Sequence, residues 1–365
     1  MKYLKLVLTM CLAMIFIACK EDDEKEVVPV KPIEEPVDEP DESMTLKEKA
    51  DFGIGAAIKS DQLDDDEFRA TVVAHFSQIT AEYEMKMANI WTGENSYNWS
   101  KADALVAFAK ENDLDVHGHA LVWYRSYPDW FKNANYDSAT FETKVKTYIE
   151  TVVARYKDDI ISWDVANEIF NDNGSLRIEG CPVYKTFDDP IAFYGRCFQY
   201  ARDADADAKL FYNDYSVVLA SGKRYAMKQM AERFKEEGYP IDGLGDQFHY
   251  MVSTDRNTIK NGLADMASTG LLIHMSELDI RTNVDKSDSY VYSQSEQEAH
   301  AEAYQAIVEA YEAIPQDQKF GITTWGLTDR ETWLTGWWHP KEYPLLFDEN
   351  YEKKETYYGF LNGLE

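Results

Sequence analysis

The stretch FETKVKTYIETVVARYKDDIISWDVANE (residues 141–168) joins two hydrophobic patterns. Its second part, IISWDVANE (residues 160–168), is a short apolar run with β-branched and aromatic residues, which is typical of a buried strand. In its first part, apolar residues recur at the 3.6-residue spacing of an amphipathic helix: Phe141, Val145, Tyr148, Ile149, Val152, Val153 and Tyr156. The stretch therefore predicts a helix followed by a strand that ends in Asn167 and Glu168.

The same alternation runs along most of the chain. Seven more strands are predicted by the runs FGIGAA (52–57), QITAEY (78–83), DVHGHALVW (115–123), AKLFYNDY (208–215), DGLGDQFHY (242–250), LLIHMSELDI (271–280) and FGITTWGLTD (320–329). The helical spacing recurs at Ala303, Ile307, Ala310, Tyr311 and Ile314. Eight strands that alternate with helices favour an α/β fold, a single (β/α)8 TIM barrel over residues 43–365, rather than a doubly wound sheet. Such a barrel accommodates this length as one domain.

The N-terminus carries a targeting pattern. Two lysines precede an apolar run at residues 6–18, which is too short to span a bilayer and is typical of the core of a signal peptide. The run ends in FIAC (residues 16–19), which resembles the lipobox of bacterial lipoproteins, where the cysteine after the cleavage point is lipidated. We therefore expect a lipoprotein signal peptide at residues 1–18 and a lipid on Cys19. Ordinary secretion with an incidental cysteine is the alternative.

An acidic segment follows the expected lipidation site. Residues 20–42 hold eleven Asp or Glu, three Lys and four Pro, with no periodic apolar residues. Such a segment cannot bury enough surface to fold, so residues 19–42 are predicted to be a disordered, extended tether. The acidic run KEDDE (residues 20–24) favours display on the outer face of the outer membrane. The predicted location is therefore the cell envelope, as a surface-exposed outer-membrane lipoprotein.

The net charge of the chain limits which molecules it can bind, and its cysteines are few. The chain has 66 acidic and 37 basic residues and a formal net charge of -29, which repels phosphate backbones and anionic lipids. Nucleic acid is therefore excluded as a partner, and membrane contact is expected only through the lipid. We also expect a monomer.

Of four cysteines, Cys11 lies in the signal and Cys19 is the anchor. Cys181 and Cys197 either pair or stay as buried thiols.

Two carboxylates lie where barrel enzymes place their chemistry. Glu168 ends the fourth predicted strand, and Glu277 lies near the end of the seventh, two residues before Asp279. The carboxyl ends of barrel strands build the active site. Two carboxylates in an aromatic cleft suit glycoside hydrolysis, in which one is protonated to assist the leaving oxygen and the other is ionised. Spacing alone is weak support, because 66 acids place some carboxylates at strand ends by chance.

The neighbouring motifs are more specific. They are ITAEYEMKM (79–87), GHALVW (118–123), PDWF (128–131), WDVANE (163–168), AKLFYNDY (208–215), IDGLGDQFH (241–249), SELDI (276–280), TTWGLTDRETW (323–333) and PLLFD (344–348). In content and order they resemble glycoside hydrolase family 10, the retaining barrel xylanases, from about Phe52 to Leu361. The resemblance implies endo-acting cleavage of β-1,4-xylosidic bonds in xylan or xylo-oligosaccharides by double displacement, with no cofactor and no metal.

The resemblance also assigns roles to residues. It implies that Glu168 is the general acid/base and Glu277 the nucleophile. Catalytic support is implied for Asn167, His249, Asp279 and Gln247, of which Asn167 is expected to bind the sugar 2-hydroxyl and His249 with Asp279 to hold Glu277. Substrate binding is implied for Glu82, Lys86, His119, Trp123, Asn213, Tyr215, Trp325 and Trp333. A turn-forming role at Asn213 and Tyr215 and a core role at Trp333 stay open.

Two positions depart from the family pattern, and two other functions stay open as alternatives. Tyr83 stands where the family has Asn, and Ser126 where it has Gln, both at the second glycone subsite. The preferred polymer therefore stays open, and a decorated or mixed-linkage β-glycan is an alternative.

A metal-dependent barrel hydrolase is one alternative class of function. His117 and His119 form an H-x-H pair of the kind such enzymes use, but on the third strand rather than the first. A non-catalytic surface glycan-binding protein is the other alternative, although both catalytic carboxylates are present.

Overall fold

The computed structural model describes residues 44–364. The predicted signal peptide (residues 1–18) and the predicted lipidation site and linker (residues 19–42) lie outside the described residues. The described residues belong to one compact unit.

Eight strands form a closed parallel barrel. They are β1 (Gly53–Ile58), β2 (Gln78–Ala81), β3 (Asp115–Gly118), β4 (Ser162–Asn167), β5 (Lys209–Asp214), β6 (Gly243–Asp246), β7 (Leu272–Arg281) and β8 (Lys319–Thr324). Each strand pairs in parallel with the next along the chain, and β8 pairs with β1. Parallel strands require a crossover between them, and here every crossover carries a helix. The predicted (β/α)8 barrel is confirmed.

A helix follows each strand on the outside of the barrel. The helices are α1 (Asp66–His75), α2 (Ser100–Glu111), α3 (Ser138–Tyr156), α4 (Pro190–Ala204), α5 (Ser221–Glu237), α6 (Arg256–Ala267), α7 (Gln294–Glu312) and α8 (Glu355–Gly363). All seven apolar residues that predicted α3 are buried. This helix begins where the Asp137 side chain accepts a hydrogen bond from the Thr140 backbone, because the first turn has no intrahelical acceptor for that N–H group. None of the helices in residues 44–364 is long and apolar enough to cross a membrane.

Shorter elements precede β1 or lie in the connections between the strands and helices. They are Leu46–Lys49, Ser60–Asp64, Met87–Ile90, Trp91–Gly93, Ser96–Tyr97, Val122–Trp123, Asp129–Lys132, Val183–Thr186, His249–Met251, Gln316–Gln318, Asp329–Glu331 and Leu334–Trp337. Two of them correct the strand predictions, because the third and sixth predicted strands are each divided in two. The sixth is interrupted at Phe248, whose positive φ of 58° is incompatible with a strand.

The second parts of the two divided strands, Val122–Trp123 and His249–Met251, extend the sheet past the carboxyl ends of β3 and β6. Trp123 pairs with Asn167 beside β4, and His249 pairs with Asp279 beside β7. At Gly118, the last residue of β3 before the break, the indole of Trp163 in β4 packs directly on β3. A side chain at Gly118 would come within 2.1 Å of that indole, so only glycine fits there.

The two cysteines in the described region do not pair. Cys181 and Cys197 are both free and buried. Burial raises the pKa of both thiols. Of the two alternatives, the structure therefore shows the buried thiols.

Candidate active site

The predicted site residues lie together at the carboxyl ends of the strands. Glu82 directly follows β2, His119 follows β3, Glu168 follows β4, and Tyr215 follows β5. Five further predicted residues continue this arrangement around the barrel: Asn213 in β5, Gln247 after β6, Glu277 and Asp279 in β7, and Trp325 after β8. This is the end where barrel enzymes build their sites from several loops.

Glu168 has an unusual backbone that is held from three sides. Its φ is +56°, a left-handed conformation that is costly for a residue with a long side chain. Its N–H donates to the carbonyl of Asn213 at 2.9 Å, and its own carbonyl accepts from Nε of Arg177 at 3.1 Å. Its carboxylate oxygen Oε1 accepts from Nε2 of Gln247 at 3.2 Å. These contacts fix the direction in which the carboxyl group leaves the strand.

Glu277 is a buried carboxylate with donors on both oxygens. Oε1 accepts a hydrogen bond from Nδ2 of Asn213 at 2.9 Å, and Oε2 lies 3.3 Å from Nε2 of His249. Burial raises the pKa of Glu277, but the hydrogen bond from His249 and the positive charges nearby outweigh it, so the net effect lowers the pKa. Glu277 is therefore ionised, which is the state that its expected role as a nucleophile requires.

His249 is part of an ion pair with two carboxylates. Its Nδ1 lies 2.9 Å from Oδ2 of Asp279, close enough for a strong attraction between charges but outside hydrogen-bond geometry. The same oxygen accepts from Nε1 of Trp333 at 2.8 Å. Burial lowers the pKa of His249, but Asp279 and Glu277 together raise it from 6.5 to about 10. At neutral pH the ring is an imidazolium that stabilises the negative charge on Glu277.

A row of amides connects the carboxylates of Glu168 and Glu277. Asn167 Oδ1 accepts from Nδ2 of Asn213 at 3.1 Å and from Nε2 of Gln247 at 3.5 Å. Gln247 in turn contacts Glu168, and Asn213 contacts Glu277. Within residues 44–364, Nδ2 of Asn167 makes no hydrogen bond, so it can donate to a ligand. Asn213 is fully buried and bonded to Glu277, behind the carboxylate rather than at the open surface.

Lys86 places its ammonium group among three aromatic rings, where the charge of Glu277 acts on it. The Nζ of Lys86 lies 4.8 Å from the ring centre of Tyr83, 5.0 Å from that of Trp123 and 5.7 Å from that of Trp325. No carboxylate of the described chain forms an ion pair with it. Burial lowers the pKa of Lys86, against the opposing effect of Glu277. The ammonium group is thus placed to donate to hydroxyl groups of a ligand that lies against these rings.

The H-x-H pair is held by a carboxylate behind the site. Nδ1 of His119 lies 2.8 Å and Nε2 of His117 lies 3.1 Å from the same Oδ2 of Asp164. His117 also contacts Oγ of Ser162 at 2.7 Å, while the His119 ring meets the Trp325 ring edge-on at 5.4 Å between centres. Both imidazoles therefore have structural partners. Across residues 44–364, no group of three or more His, Cys, Asp or Glu side chains is arranged to hold a metal ion.

Glu82 and Tyr215 also lie at the carboxyl ends of their strands, and charged side chains contact both of them. Glu82 is buried, with Lys59 at 4.0 Å, and burial raises the pKa of Glu82. Tyr215 accepts a hydrogen bond from Nη2 of Arg177 at 2.6 Å, and Nζ of Lys223 lies 3.4 Å from its ring centre. Arg177 and Lys223 therefore fix the Tyr215 ring, and Arg177 also binds the Glu168 carbonyl.

Sequence reasoning missed three residues that position the site. Asp164 and Asp214 lie inside the motifs WDVANE and AKLFYNDY, but spacing gave them no role. Asp214 accepts from Lys223 at 3.0 Å and from the backbone of Phe170. Arg177, which holds the Glu168 carbonyl, lies in an irregular loop without a motif, so no sequence signal pointed to it.

Comparisons with known proteins agree with this geometry. The model of the family Glycosyl hydrolase family 10 matches residues 43–363. Among curated proteins, the chain is 34% identical over 341 residues to Endo-beta-1,4-xylanase Xyn10C of Cellvibrio japonicus, covering 86% of this chain and 56% of that protein. It is 32% identical over 325 residues to Endo-1,4-beta-xylanase 3 of Hypocrea jecorina, covering 88% of this chain and 84% of that one. The chain thus spans about half the length of the first of these relatives.

Solved structures show the same likeness. Xylanase10C from Cellvibrio japonicus in complex with xylopentaose superposes with a TM-score of 0.81 at 33% identity, covering 86% of this chain and 67% of that chain. Native xylanase 10B from Thermotoga maritima gives a TM-score of 0.81 at 30% identity, covering 88% of this chain and 98% of that chain.

Proposed function

Because the chain belongs to glycosyl hydrolase family 10, we propose that it is an endo-1,4-β-xylanase that cleaves β-1,4-xylosidic bonds in xylan with retention of configuration. The observation that carries the proposal is the hydrogen-bonded row that joins Glu168 to an ionised Glu277. The xylanase names of the relatives support the choice of polymer.

The reaction proceeds in two steps. In the first, the Glu277 carboxylate attacks the anomeric carbon, the glycosidic bond breaks, and Glu168 gives its proton to the leaving oxygen. A covalent glycosyl ester on Glu277 and a shortened xylan chain result. In the second, Glu168 takes a proton from water, whose oxygen attacks the anomeric carbon and releases Glu277 as a carboxylate. His249 stabilises that carboxylate before and after the ester exists.

The surrounding residues orient the sugar. Asn167 has a free amide N–H between the two carboxylates, where it donates to the 2-hydroxyl, a contact that strengthens as the ring flattens in the transition state. Lys86 and His119 donate to hydroxyl groups on the glycone side, and Trp325 packs against the ring. Asn213 acts on Glu277 and is a positioning residue.

Reducing-sugar release from xylan tests the activity. The wild-type chain should release sugar with and without a chelator. The isosteric variant Glu277→Gln should release none, because a neutral amide cannot form the ester. Glu302→Gln, an exposed position paired with Arg256, is the matched control and should keep wild-type activity. If the wild type binds xylan without releasing sugar, the chain is instead a glycan-binding protein.

We propose further that the second glycone subsite favours decorated or mixed-linkage xylan. Ser126 is buried, and its hydroxyl donates to the Trp123 carbonyl at 3.3 Å, so it offers no donor to a sugar. Tyr83 is 47% exposed and presents a ring near Lys86 instead of an amide. Each sugar hydrogen bond left unmade costs about 1 to 3 kcal/mol. A linear chain therefore loses contacts that a branch or another linkage can replace.

The cellular location is also a proposal. We propose that the signal peptide is removed, that Cys19 carries a lipid, and that the acidic tether holds a monomeric barrel at the outer surface of the outer membrane. The apolar run, the lipobox-like FIAC and the acidic residues after it support this. Cys19→Ser should move the protein from the membrane pellet to the soluble fraction with unchanged activity. Wild-type protein found only in the soluble fraction contradicts the anchor, and a dimer by sedimentation contradicts the monomer.

A further inference from the structure

Trp337 is an exposed indole at the edge of the candidate active site. Its exposed fraction is 59%, and it is the one exposed residue among the nine tryptophans, all of which lie in the described region. It ends the short helix Leu334–Trp337, in the loop that also carries Trp333. An exposed indole joins a large apolar face to a hydrogen-bond donor, a combination that is enriched at binding interfaces.

Stacking connects Trp337 to the catalytic residues. The rings of Trp333 and Trp337 are stacked, with centres 4.7 Å apart and planes 27° apart. Trp333 donates to Asp279 and meets the His249 ring at 5.0 Å between centres, and His249 contacts Glu277. The Trp337 ring is therefore linked to His249 through one intervening ring, that of Trp333. The three rings form a row that runs from Glu277 to the exposed surface.

The neighbouring Trp338 is already occupied by protein groups. Lys286 Nζ lies 3.7 Å and Arg281 Cζ 4.5 Å from its ring centre, and its Nε1 donates to the carbonyl of Asn283 at 3.0 Å. Trp337 differs, since its Nε1 has no hydrogen-bond partner in residues 44–364 and Arg281 Cζ lies farther from its ring centre, at 6.0 Å. Trp338 thus supports the loop, and Trp337 has both a ring face and a donor available.

We infer that Trp337 is an additional sugar-binding platform, which takes the apolar face of a pyranose ring of the substrate beyond the units at the cleavage point. The inference rests on the proposed xylanase function. A pyranose ring offers C–H groups to an indole face and hydroxyls to an indole N–H, so both free features of Trp337 gain a partner. The ring belongs either to the xylan backbone or to a branch, and the substrates below separate the two.

The test compares Trp337→Ala with wild type on three substrates. An aryl β-xylobioside has no sugar units beyond those next to the cleavage point, whereas linear xylohexaose offers further backbone rings and a substituted xylan also offers branches. The variant should keep kcat/KM on the aryl glycoside within about twofold. On the longer substrates KM should rise about three- to tenfold at unchanged kcat. A loss on xylohexaose assigns the ring to the backbone, and a loss confined to substituted xylan assigns it to a branch.

Two further variants separate the loss of a sugar platform from the loss of any exposed ring. Trp337→Phe keeps a ring face and should keep most of the binding. Tyr225→Ala removes a comparably exposed ring, 66%, from a groove on α5 that contains none of the predicted site residues, and should change nothing.

Two results overturn the inference. In one, KM on all three substrates is unchanged by Trp337→Ala. In the other, the aryl glycoside loses as much as the polymers, which makes Trp337 only a brace for Trp333. Failure of the proposed function is distinct, because the wild type would then not cleave the aryl glycoside at all.

Discussion

Replacing His249 with Ala removes the cation that keeps Glu277 ionised. The substitution deletes the contact to Glu277 Oε2 at 3.3 Å and the contact to Asp279 Oδ2 at 2.9 Å. Burial, which raises the pKa of Glu277, is the largest influence on this carboxyl, and His249 is the main influence that opposes it. Without the imidazolium, the pKa of Glu277 must rise, and Glu277 becomes charged only at higher pH.

The size of the effect follows from the lost contact. A hydrogen bond to a charged group contributes about 1.5 to 3 kcal/mol. Since one pKa unit corresponds to about 1.4 kcal/mol, the acid limb of kcat/KM should move upward by about one to two pH units. Below the limb, the variant should be about 10- to 100-fold less active than wild type, and the difference should shrink as the pH rises.

The assay is the pH profile of kcat/KM on an aryl β-xylobioside with a good leaving group. Such a substrate needs little acid assistance from Glu168, so the acid limb reports on Glu277. The control is His300→Ala, which truncates another buried imidazole, bonded to the Tyr292 hydroxyl at 2.9 Å. An acid limb that stays in place in His249→Ala, or moves equally in His300→Ala, refutes the reasoning.

Three further predictions concern the same site. Glu168→Ala should retain the first step on activated aryl xylosides, lose about 10²- to 10⁴-fold on xylan, and give a β-glycosyl azide when azide is added; an α-azide or no rescue contradicts its acid/base role. Tyr83→Asn combined with Ser126→Gln should shift kcat/KM from substituted toward linear xylan, and a natural preference for linear xylohexaose contradicts the argument. The charged His249, with a pKa raised from 6.5 to about 10, should contribute stability that is fully present below about pH 6.5 and lost as the pH rises through 10. Denaturant unfolding of wild type and His249→Ala should therefore converge at high pH, and a constant difference contradicts the ion pair.

The barrel was predictable because its strands are buried on both faces. Buried parallel strands read as short continuous apolar runs, and the crossover helices keep their 3.6-residue spacing. The run at residues 160–168 therefore gave both β4 and the position of Glu168 at its end. The breaks in two strands were not predictable, because they depend on a local backbone conformation such as that of Phe248, which apolar patterning does not encode.

The candidate site was predictable in its residues but less so in their contacts. Motif order identified Glu168 and Glu277, and the structure brings both into one hydrogen-bonded row. Motif order could not show that Asn213 contacts Glu277 rather than a ligand, since both orientations fit the same strand end. The charge on His249 and the clamp from Arg177 depend on side chains brought together by the fold from distant parts of the chain.

The stereochemistry of the first product tests the central claim most directly, because it depends on Glu277 acting as a nucleophile and Glu168 as the acid/base. Proton NMR during the first minutes of xylohexaose hydrolysis reports the anomer before mutarotation. The two-step mechanism predicts that the β-anomer forms first and the α-anomer accumulates only later. An initial α-anomer contradicts it, because inversion requires a water in place of the glycosyl ester.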